Sequence, residues 1–412
     1  MLNNKINIPQ LSGQISKDLS LAYTGGAVDM YIPFNEENTK VFAYDVNSLY
    51  PFTMNEFNMP VGKPVLFEGD IRAIEQNAFG FFYCKIKAPD NLKHPILQTH
   101  INLNSESRTI APLGQWENMI FSAEMDNAKK YGYEFEILWG YTFEAKNIFK
   151  DYIQTMYNLR LQYPKSNPMN LIAKLLMNSL YGRFGMDDAF PTIEIFNNKD
   201  AWKFIEEFKG KINNVIELGD KTMIIYRSEQ ADINTMVDGN SETHNVSVAV
   251  ASAITAYARI HMSQFKNNPD FTLYYTDTDS IYINKALPDY MISNTILGQM
   301  KLENVLTKAI FLAPKMYYLE TIDGKVIYKV KGLSHDIEIT RKDFENLLIK
   351  ESILQKFQNK WRTYLDKGHI EVINQMYTLK VTENKRRLIY LNGKLIDTQP
   401  YIINENKEIL NK

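Results

Sequence analysis

Two aspartates stand inside a strand-like segment of this chain, LYYTDTDSIYI at residues 273–283. The surrounding residues are mostly aromatic or β-branched, and runs of such residues favour β-strands. We therefore predict a hairpin with strands at 271–276 and 281–284 and with Asp277 and Asp279 near its tip. Because side chains two residues apart in an extended chain share a face, the two carboxylates repel each other unless a cation lies between them.

A hard divalent cation with oxygen ligands, Mg²⁺ or Mn²⁺, suits such a pair of carboxylates. An EF-hand calcium loop is excluded, since the segment lacks both the glycine at the sixth loop position and the glutamate at the twelfth. An Asp-x-Asp pair alone is also compatible with an exposed acidic turn.

The segment YDVNSLYPF at 44–52 supplies a third carboxylate. Asp45 ends the apolar sequence VFAY, which predicts a strand, and precedes a turn that we predict at Tyr50–Pro51. A proline disfavours helical conformation in the residue before it, so Tyr50 is expected to be extended, with its ring held in one orientation. A single aspartate at this place is also typical of a turn or cap residue.

A pair of helices is predicted between residues 146 and 185, interrupted by the sequence YPKSNP at 163–168. Asn167 can cap the second helix and Pro168 suits its first position, so the helices should form an antiparallel hairpin.

The second of these helices carries Lys174, Asn178 and Tyr181 on one face, at the spacing i, i+4, i+7. A lysine there can bind phosphate, and a tyrosine can contact a base or a sugar. The alternative is a solvated stripe on an amphipathic helix.

The rest of the chain predicts an alternation of strands and helices. Gly25–Gly26 predicts a turn, the mixed region 187–241 looks like an insertion, and the section from about 333 is expected to be helical and then strand-like. The remaining elements are a strand at 79–89, a helix at 114–133, a strand at 134–144 and a helix rich in small residues at 244–265.

Composition narrows the class of protein. With 45% hydrophobic and 23% charged residues the chain reads as globular, and without an apolar run of 18 residues it predicts no membrane span. The single cysteine, Cys84, excludes an intrachain disulfide and is expected to be buried. Residues 301–412 hold 20 lysines and arginines against 14 acidic residues, although the net charge is −2, which suits either a groove for a polyanion or a solvated surface.

Three segments together resemble the signature motifs of family B DNA polymerases. These are Asp45 with S-L-Y-P, then K-x-x-x-N-S-x-Y-G at 174–182, then Y-x-D-T-D-S at 275–280. Farther along, Lys315-Met316-Tyr317 is similar to the family's K-x-Y motif, and KVKGLS at 329–334 to its lysine–glycine segment. The lead-in YTGGAVDMYIP and the short insertion resemble the protein-primed branch, found in phages and linear mitochondrial plasmids. The resemblance covers about residues 22–335.

The resemblance implies an α+β right-hand polymerase fold: a palm of antiparallel sheet plus helices, helical-hairpin fingers and a small thumb. The implied domains are a lead-in (1–22), the first part of the palm (23–145), the fingers (146–186), an insertion (187–241), the second part of the palm with the catalytic hairpin (242–332) and the thumb (333–412). Only 44 residues precede Asp45, too few for the 3′–5′ exonuclease domain usual in this family, so we expect that domain to be missing.

The resemblance also implies roles for individual residues. The catalytic residues would be Asp45, Asp277 and Asp279, and two Mg²⁺ ions (or Mn²⁺) would be held by Asp45, Asp279 and the backbone of Val46, with Asp277 beside the site. Tyr50 would exclude a 2′-hydroxyl from the incoming sugar. The implied nucleotide-binding residues are Val46, Ser48, Leu49, Tyr50, Arg160, Lys174, Asn178 and Tyr181, and the implied DNA-binding residues are Lys315, Tyr317 and Lys331.

The implied function is DNA-directed DNA synthesis in protein-primed replication of a linear plasmid or virus-like element. The expected partners are primer–template DNA, deoxyribonucleotides and a terminal protein, with no membrane, and the chain is expected to be a monomer. Its lysine, asparagine and isoleucine bias and the lack of an import signal suit expression inside mitochondria from an organellar genome or plasmid; a viral or phage protein in the host cytoplasm is the alternative. A truncated, catalytically impaired remnant that binds DNA or a terminal protein is the second hypothesis. A small-molecule phosphotransferase is disfavoured, since no glycine-rich phosphate loop is present.

Overall fold

The structure is a computed structural model that describes residues 8–11, 13–103, 106–186, 191–208, 211–227, 246–364 and 368–410. Within them, no helix is both long enough and apolar enough to cross a membrane. The α-helices are α1 (Gly13–Ser20), α2 (Leu49–Glu56), α3 (Ser122–Lys129), α4 (Lys150–Gln162), α5 (Pro168–Phe184), α6 (Asn198–Glu207), α7 (Val248–Ser263) and α8 (Arg341–Leu347).

Strands make up most of the remaining regular structure. The strands of the first half are β1 (Val28–Met30), β2 (Val41–Val46), β3 (Met59–Glu68), β4 (Gly80–Lys87), β5 (Thr99–Leu103), β6 (Glu106–Ile110), β7 (Leu113–Phe121), β8 (Glu134–Lys146) and β9 (Thr192–Asn197). Those of the second half are β10 (Lys211–Leu218), β11 (Lys221–Arg227), β12 (Leu273–Asp277), β13 (Ser280–Ile283), β14 (Met300–Ala313), β15 (Met316–Thr321), β16 (Val326–Val330), β17 (Ile353–Tyr364), β18 (His369–Lys380), β19 (Arg386–Leu391), β20 (Lys394–Pro400) and β21 (Ile402–Ile403).

The central element is a seven-stranded antiparallel sheet in the order β1-β12-β13-β2-β14-β15-β16. Strands β12 and β13 form the hairpin predicted from LYYTDTDSIYI. Their apolar residues Leu273, Tyr275, Ile281 and Ile283 are buried, which fixes the hairpin in the sheet. This strand order places β13 directly beside β2, so that the aspartates of two distant segments meet at one level of the sheet.

Helix α7 is the common packing element of the molecule. Its small residues let other elements approach closely, and Ala249, Ala253 and Ala256 are completely buried. It contacts α1, α2, α3 and α5 as well as strands β3 and β7. The helix predicted at 244–265 is therefore confirmed for residues 248–263.

A second sheet holds most of the segment between β2 and α4. Its order is β21-β7-β4-β8-β3, with β21 parallel to β7 and the other pairs antiparallel. Residues 23–145, which the sequence suggested as one part of a palm, are thus divided between two sheets and the small hairpin β5–β6. Cys84 lies in this second sheet and is fully buried, as expected.

The predicted helical hairpin is confirmed. Helix α4 packs against α5, the side chain of Asn167 accepts a hydrogen bond from Met169 N–H at 2.9 Å, and Pro168 is the first residue of α5. Beyond it, the sheet β10-β11-β9 packs against α6 through a cluster of aromatic rings that includes Phe204 and Tyr226. Residues 228–241 of the 187–241 region lie outside the described residues.

The helix predicted at 114–133 is wrong in its first half. Residues 113–121 form β7, which pairs with β4 on one side and with β21 on the other, and the helix begins only at Ser122. Trp116 and Phe121 are each 1% exposed. Pairing on both edges and burial of these rings outweigh the local helix preference.

The turn predicted at Tyr50–Pro51 is also wrong, because both residues belong to α2. Ser48 immediately precedes this helix in a left-handed conformation, with φ of 53° and ψ of 64°, and its side chain makes no capping hydrogen bond. Pro51 is tolerated because it stands in the first turn, where its backbone N–H would have no helical partner. Tyr50 is consequently helical and not extended.

The C-terminal section differs from the prediction of helix followed by strand. Apart from the seven-residue helix α8, its described elements are strands, the longest being the hairpin β17–β18. The misleading signal is the spacing of Ile353, Phe357 and Trp361, since an apolar residue at every fourth position fits both a helix and one face of a strand.

The basic segment TENKRRL at 382–388 contains one buried arginine. Arg386 is 5% exposed, lies 4.9 Å from the ring centre of Tyr31, and donates from Nε to Thr398 Oγ1 at 2.9 Å. Thr398 Oγ1 in turn donates to the main-chain oxygen of Tyr31 at 2.8 Å. These contacts fasten the C-terminal strands to the edge of the seven-stranded sheet.

Candidate active site

The turn between β12 and β13 holds the aspartates in a constrained conformation. Asp279 N–H donates to Asp277 O at 2.7 Å, and Thr278 between them has φ of 61°, which is rare for a β-branched residue. Thr278 N–H donates to Ala27 O at 3.0 Å. Gly26 is essential to this contact, because a Cβ there would lie 2.5 Å from Thr278 Cγ2. Gly26 therefore packs closely on this turn while Gly25 does not, and the turn predicted at Gly25–Gly26 is wrong, because the two residues stand in an irregular segment.

Asp45 and Asp279 are brought together by strand pairing. Ser280 lies opposite Asp45 in the β13–β2 pair, and its hydroxyl donates to Asp45 Oδ2 at 2.9 Å although the two residues are 235 positions apart. Val46 N–H donates to the main-chain oxygen of Asp279 at 2.8 Å. Both aspartates thus emerge at the same end of adjacent central strands.

The two carboxylates occupy a partly desolvated place. Burial, reinforced by the negative charge of Asp45, raises the pKa of Asp279 from 3.8 to about 7. Burial likewise raises the pKa of Asp45, although the Ser280 hydrogen bond opposes this effect. A pair of acids whose charged forms are both disfavoured is suited to bind a cation that would neutralise them.

Asp277 has a different environment from Asp279. Lys315 Nζ donates to Asp277 Oδ1 at 2.7 Å, and Lys315 N–H donates to the hydroxyl of Tyr275 at 2.7 Å. The charge of Asp277 is therefore balanced by a lysine of the K-x-Y segment. Among the described residues, no cluster of three acidic, histidine or cysteine side chains is arranged to hold a metal, so Asp45 and Asp279 stand as a pair.

Helix α5 lies over this pair. The ring of Tyr181 stacks on that of Tyr50 with centres 4.0 Å apart and an interplanar angle of 28°. Asn178 Oδ1, one turn earlier, is buried and without a hydrogen-bond partner. Lys174 is exposed, yet close enough that its charge lowers the pKa of Asp45 against the dominant effect of burial.

The other predicted nucleotide-binding residues differ in whether their side chains are accessible to a ligand. Arg160 on α4 donates from Nη1 to Ser48 Oγ at 2.9 Å, so both are at the site. Leu49 and Val46, however, are 2% and 1% exposed, and their side chains belong to the core. Only the main chain of these two residues is available to a ligand.

The predicted DNA-binding residues lie together at one end of the β15–β16 pair, where Lys331 N–H donates to Lys315 O at 3.0 Å. Tyr317 is half-buried in an aromatic cluster with Tyr275 and Tyr282. Lys331 is exposed, and its main-chain oxygen accepts a hydrogen bond from the hydroxyl of Tyr377 on β18. Gln358 on β17 is 2% exposed and bonds both Ser334 N and Gly332 O.

Sequence reasoning missed a basic face on the β17–β18 hairpin. Lys356, Lys360 and Arg362 alternate along β17 on the face that also carries Gln358. Lys360 Nζ lies 5.7 Å from the ring centre of Tyr377. The signal was present as a lysine or arginine at alternate positions, but it is readable only once the segment is known to be a strand.

The β17–β18 hairpin also reaches the insertion. A Cβ at Gly368, in the turn between the two strands, would lie 2.8 Å from Leu218 Cδ2 and 2.9 Å from Ile216 Cγ2, both on β10. The turn of the β17–β18 hairpin therefore packs closely against β10 of the insertion.

The seven-stranded sheet and the helices packed on it form the right-hand fold found in polymerases. A solved structure of Phi29 DNA polymerase complexed with primer–template DNA and incoming nucleotide substrates has the same fold, with a TM-score of 0.66 at 20% sequence identity, over 91% of this chain and 64% of that chain. The description of the family whose model matches residues 1–271 is DNA polymerase type B, organellar and viral. The chain belongs to this family, which confirms the resemblance found in the sequence.

Relatives occur in fungi and phages. A "Probable DNA polymerase" of Neurospora intermedia is 36% identical over 376 residues, which is 89% of this chain and 38% of that protein. The DNA polymerase of Streptococcus phage Cp-1 is 26% identical over 84% of this chain and 57% of its own length. The chain thus spans 38% and 57% of the length of these two relatives.

Proposed function

We propose that this chain is a DNA-directed DNA polymerase that adds deoxyribonucleotides to a primer 3′-hydroxyl. The observation that carries the proposal is the convergence of the Asp45–Asp279 pair with the stacked rings of Tyr50 and Tyr181, from three distant segments. We assign the seven-stranded sheet with α2 and α7 to the palm, α4–α5 to the fingers and the β17–β18 hairpin to the thumb.

The residues at the palm fit two Mg²⁺ or Mn²⁺ ions. Asp45 and Asp279 are desolvated carboxylates, the charge of Asp45 disfavours ionisation of Asp279, and the main-chain oxygen of Val46 would complete the ligand set. When bound, such ions lower the pKa of the primer hydroxyl and stabilise the charge on the departing pyrophosphate. Asp277 would hold Lys315 near the primer strand.

The α4–α5 hairpin supplies groups suited to a nucleoside triphosphate. Lys174 and Arg160 carry the positive charge for the phosphates, and the unpartnered Oδ1 of Asn178 is a hydrogen-bond acceptor that a ligand could satisfy. The ring of Tyr50 would lie under the sugar, where a 2′-hydroxyl would collide with it. The Tyr50–Tyr181 stack would have to open for the nascent base pair.

The groove for duplex DNA would be lined by lysines that contact phosphates without reading sequence. Lys315, Tyr317 and Lys331 lie on the palm side, and Lys356 and Lys360 on the thumb side. The contact of Gly368 with β10 would close the protein around the duplex and so favour long, uninterrupted synthesis.

The biological setting is proposed from the relatives. Their fungal and phage sources suit replication of a linear plasmid or viral genome, in mitochondria for a fungal element. A terminal protein would then provide a serine, threonine or tyrosine hydroxyl as the primer. Incubation with labelled deoxyribonucleotide and candidate terminal protein should give a covalent label; its absence with a chain that is active on DNA primers would reject this step.

Primer extension tests the main proposal. The full chain should extend a recessed DNA primer in Mg²⁺, and Asp279→Asn should reduce incorporation by about a thousandfold, since several kcal/mol of charge stabilisation are lost. Asp289→Asn is the matched control, because Asp289 is an exposed carboxylate of the same part of the chain. Retained DNA binding without incorporation by the wild type would instead support the remnant hypothesis.

A further inference from the structure

Asn47 directly follows Asp45 and Val46. It is hydrogen-bonded through both its backbone and its side chain to residues 293–299, which we call the 293–299 loop. Asn47 N–H donates to Gln299 O at 2.9 Å, and Asn47 O accepts from Gly298 N–H at 3.0 Å. Its side-chain Nδ2 donates to Ser293 O at 2.7 Å and to Ile296 O at 3.1 Å. Few other side chains offer two such donors without charge.

The 293–299 loop is itself rigidly placed. The hydroxyl oxygen of Ser293 accepts from the N–H groups of Thr295 and Ile296, at 3.1 and 3.0 Å. Gly298, with φ of 79°, packs so closely on Phe52 of α2 that a Cβ would lie 2.3 Å from the ring. His261 Nε2 of α7 lies 2.8 Å from Gly298 O. The loop therefore rests on two helices of the palm.

Helix α4 touches both the loop and the residue after Asn47. The hydroxyl of Tyr157 donates to Thr295 O, and Arg160 Nη1 donates to Ser48 Oγ at 2.9 Å. Residues three positions apart on a helix share a face, so one face of α4 makes both contacts. The 293–299 loop is thus wedged between the helical hairpin and the strand end that carries Asp45.

We propose that Asn47 is a positioning residue that couples α4, through the 293–299 loop, to the segment Asp45–Tyr50. This inference rests on the proposed polymerase function. When Arg160 leaves Ser48 to bind a triphosphate, the Tyr157–Thr295 hydrogen bond keeps α4 at a fixed position relative to the loop. Through its hydrogen bonds to the loop, Asn47 makes the positions of Tyr50 and of the metal-binding strand end depend on the position of α4. Asn47 itself touches neither substrate nor metal.

The test is a double-mutant cycle with Asn47→Ala and Tyr157→Phe, in which the second variant removes only one hydroxyl and leaves the fold intact. Single-turnover incorporation is measured against nucleotide concentration. We expect the nucleotide dissociation constant to rise about tenfold in Asn47→Ala and about threefold in Tyr157→Phe. The double variant should be no worse than Asn47→Ala, and the preference for deoxyribonucleotides over ribonucleotides should fall with it, while DNA affinity stays unchanged.

Asn374→Ala is the matched control, because Asn374 bonds only its cross-strand neighbour on the exposed side of the β17–β18 hairpin. The coupling would be refuted if the nucleotide dissociation constant of the double variant rose by the product of the two single effects. It would also be refuted if Asn47→Ala bound the nucleotide as tightly as the wild type. A lower melting temperature with unchanged nucleotide affinity would show a purely structural role and also refute the inference. Failure of the wild type to extend a primer would instead reject the proposed function together with the inference built on it.

Discussion

The burial of the Asp279 carboxylate beside Asp45 should be measurable as lost stability in the metal-free protein. Burial and the charge of Asp45 raise the pKa of Asp279 from 3.8 to about 7. Each pKa unit corresponds to about 1.36 kcal/mol, so three units give an upper limit of about 4 kcal/mol for the cost of ionising Asp279 in the folded state. Since the group is partly exposed to screening water, we expect about 2 to 4 kcal/mol.

The sign follows from proton linkage. The folded-state pKa of Asp279 lies above its unfolded value, so folding is favoured by the protonated acid and stability is lost as the pH rises from about 4 through 7. An asparagine amide at this position cannot ionise and avoids this cost. The substitution Asp279→Asn should therefore stabilise the metal-free chain at pH 8 and have almost no effect near pH 4.

Thermal unfolding in EDTA at pH 4, 6 and 8 measures this difference. At pH 8 Asp279→Asn should melt several degrees higher than the wild type. Millimolar Mg²⁺ should then raise the melting temperature of the wild type more than that of the variant, because the ion binds the folded pair. Asp289→Asn should behave as the wild type throughout. A variant no more stable than the wild type at pH 8, or an equal effect of Mg²⁺ on both, would refute the assignment of the pair.

Two further substitutions probe the turn and the groove. Gly26→Ala should push Thr278 away at a cost of about 1–3 kcal/mol in folding free energy and reduce primer extension at least tenfold. Gly25→Ala should be harmless, because its Cβ would meet nothing within 4 Å. Equal activities of the two variants would contradict the role of the close contact. Replacing Lys356 and Lys360 by alanine should weaken duplex binding and lower the slope of log K against log salt by about 2, measured by fluorescence anisotropy, while Lys380→Ala on the opposite face should do neither.

Local sequence was sufficient for the elements that local interactions determine. The β12–β13 hairpin follows from its strand-forming residues, and the α4–α5 hairpin follows from Asn167 and Pro168. It was insufficient where partners distant in sequence decide the conformation. Residues 113–121 become a strand because β4 and β21 pair with them, and the four-residue spacing along β17 fits a helix until β18 is placed beside it.

The candidate site shows the same division. No local pattern relates Asp45 to Asp279; their proximity depends on the order of strands in the sheet, and it was expected only from the family resemblance. Likewise, no pattern announces that Lys315 would neutralise Asp277 or that Asn47 would bind the 293–299 loop, since those partners are 38 and about 250 positions away.

The distant contacts explain how an unfavourable arrangement can persist in the sheet. Thr278 has a left-handed conformation that costs of order 1–3 kcal/mol, and the paired acids add a comparable cost. Each feature is held by a hydrogen bond to another segment: Thr278 N–H donates to Ala27 O, the Ser280 hydroxyl donates to Asp45, and Lys315 Nζ donates to Asp277. Because these bonds come from independent elements, loss of one should distort the turn without unfolding the sheet. The site should therefore lose activity before the protein loses its fold.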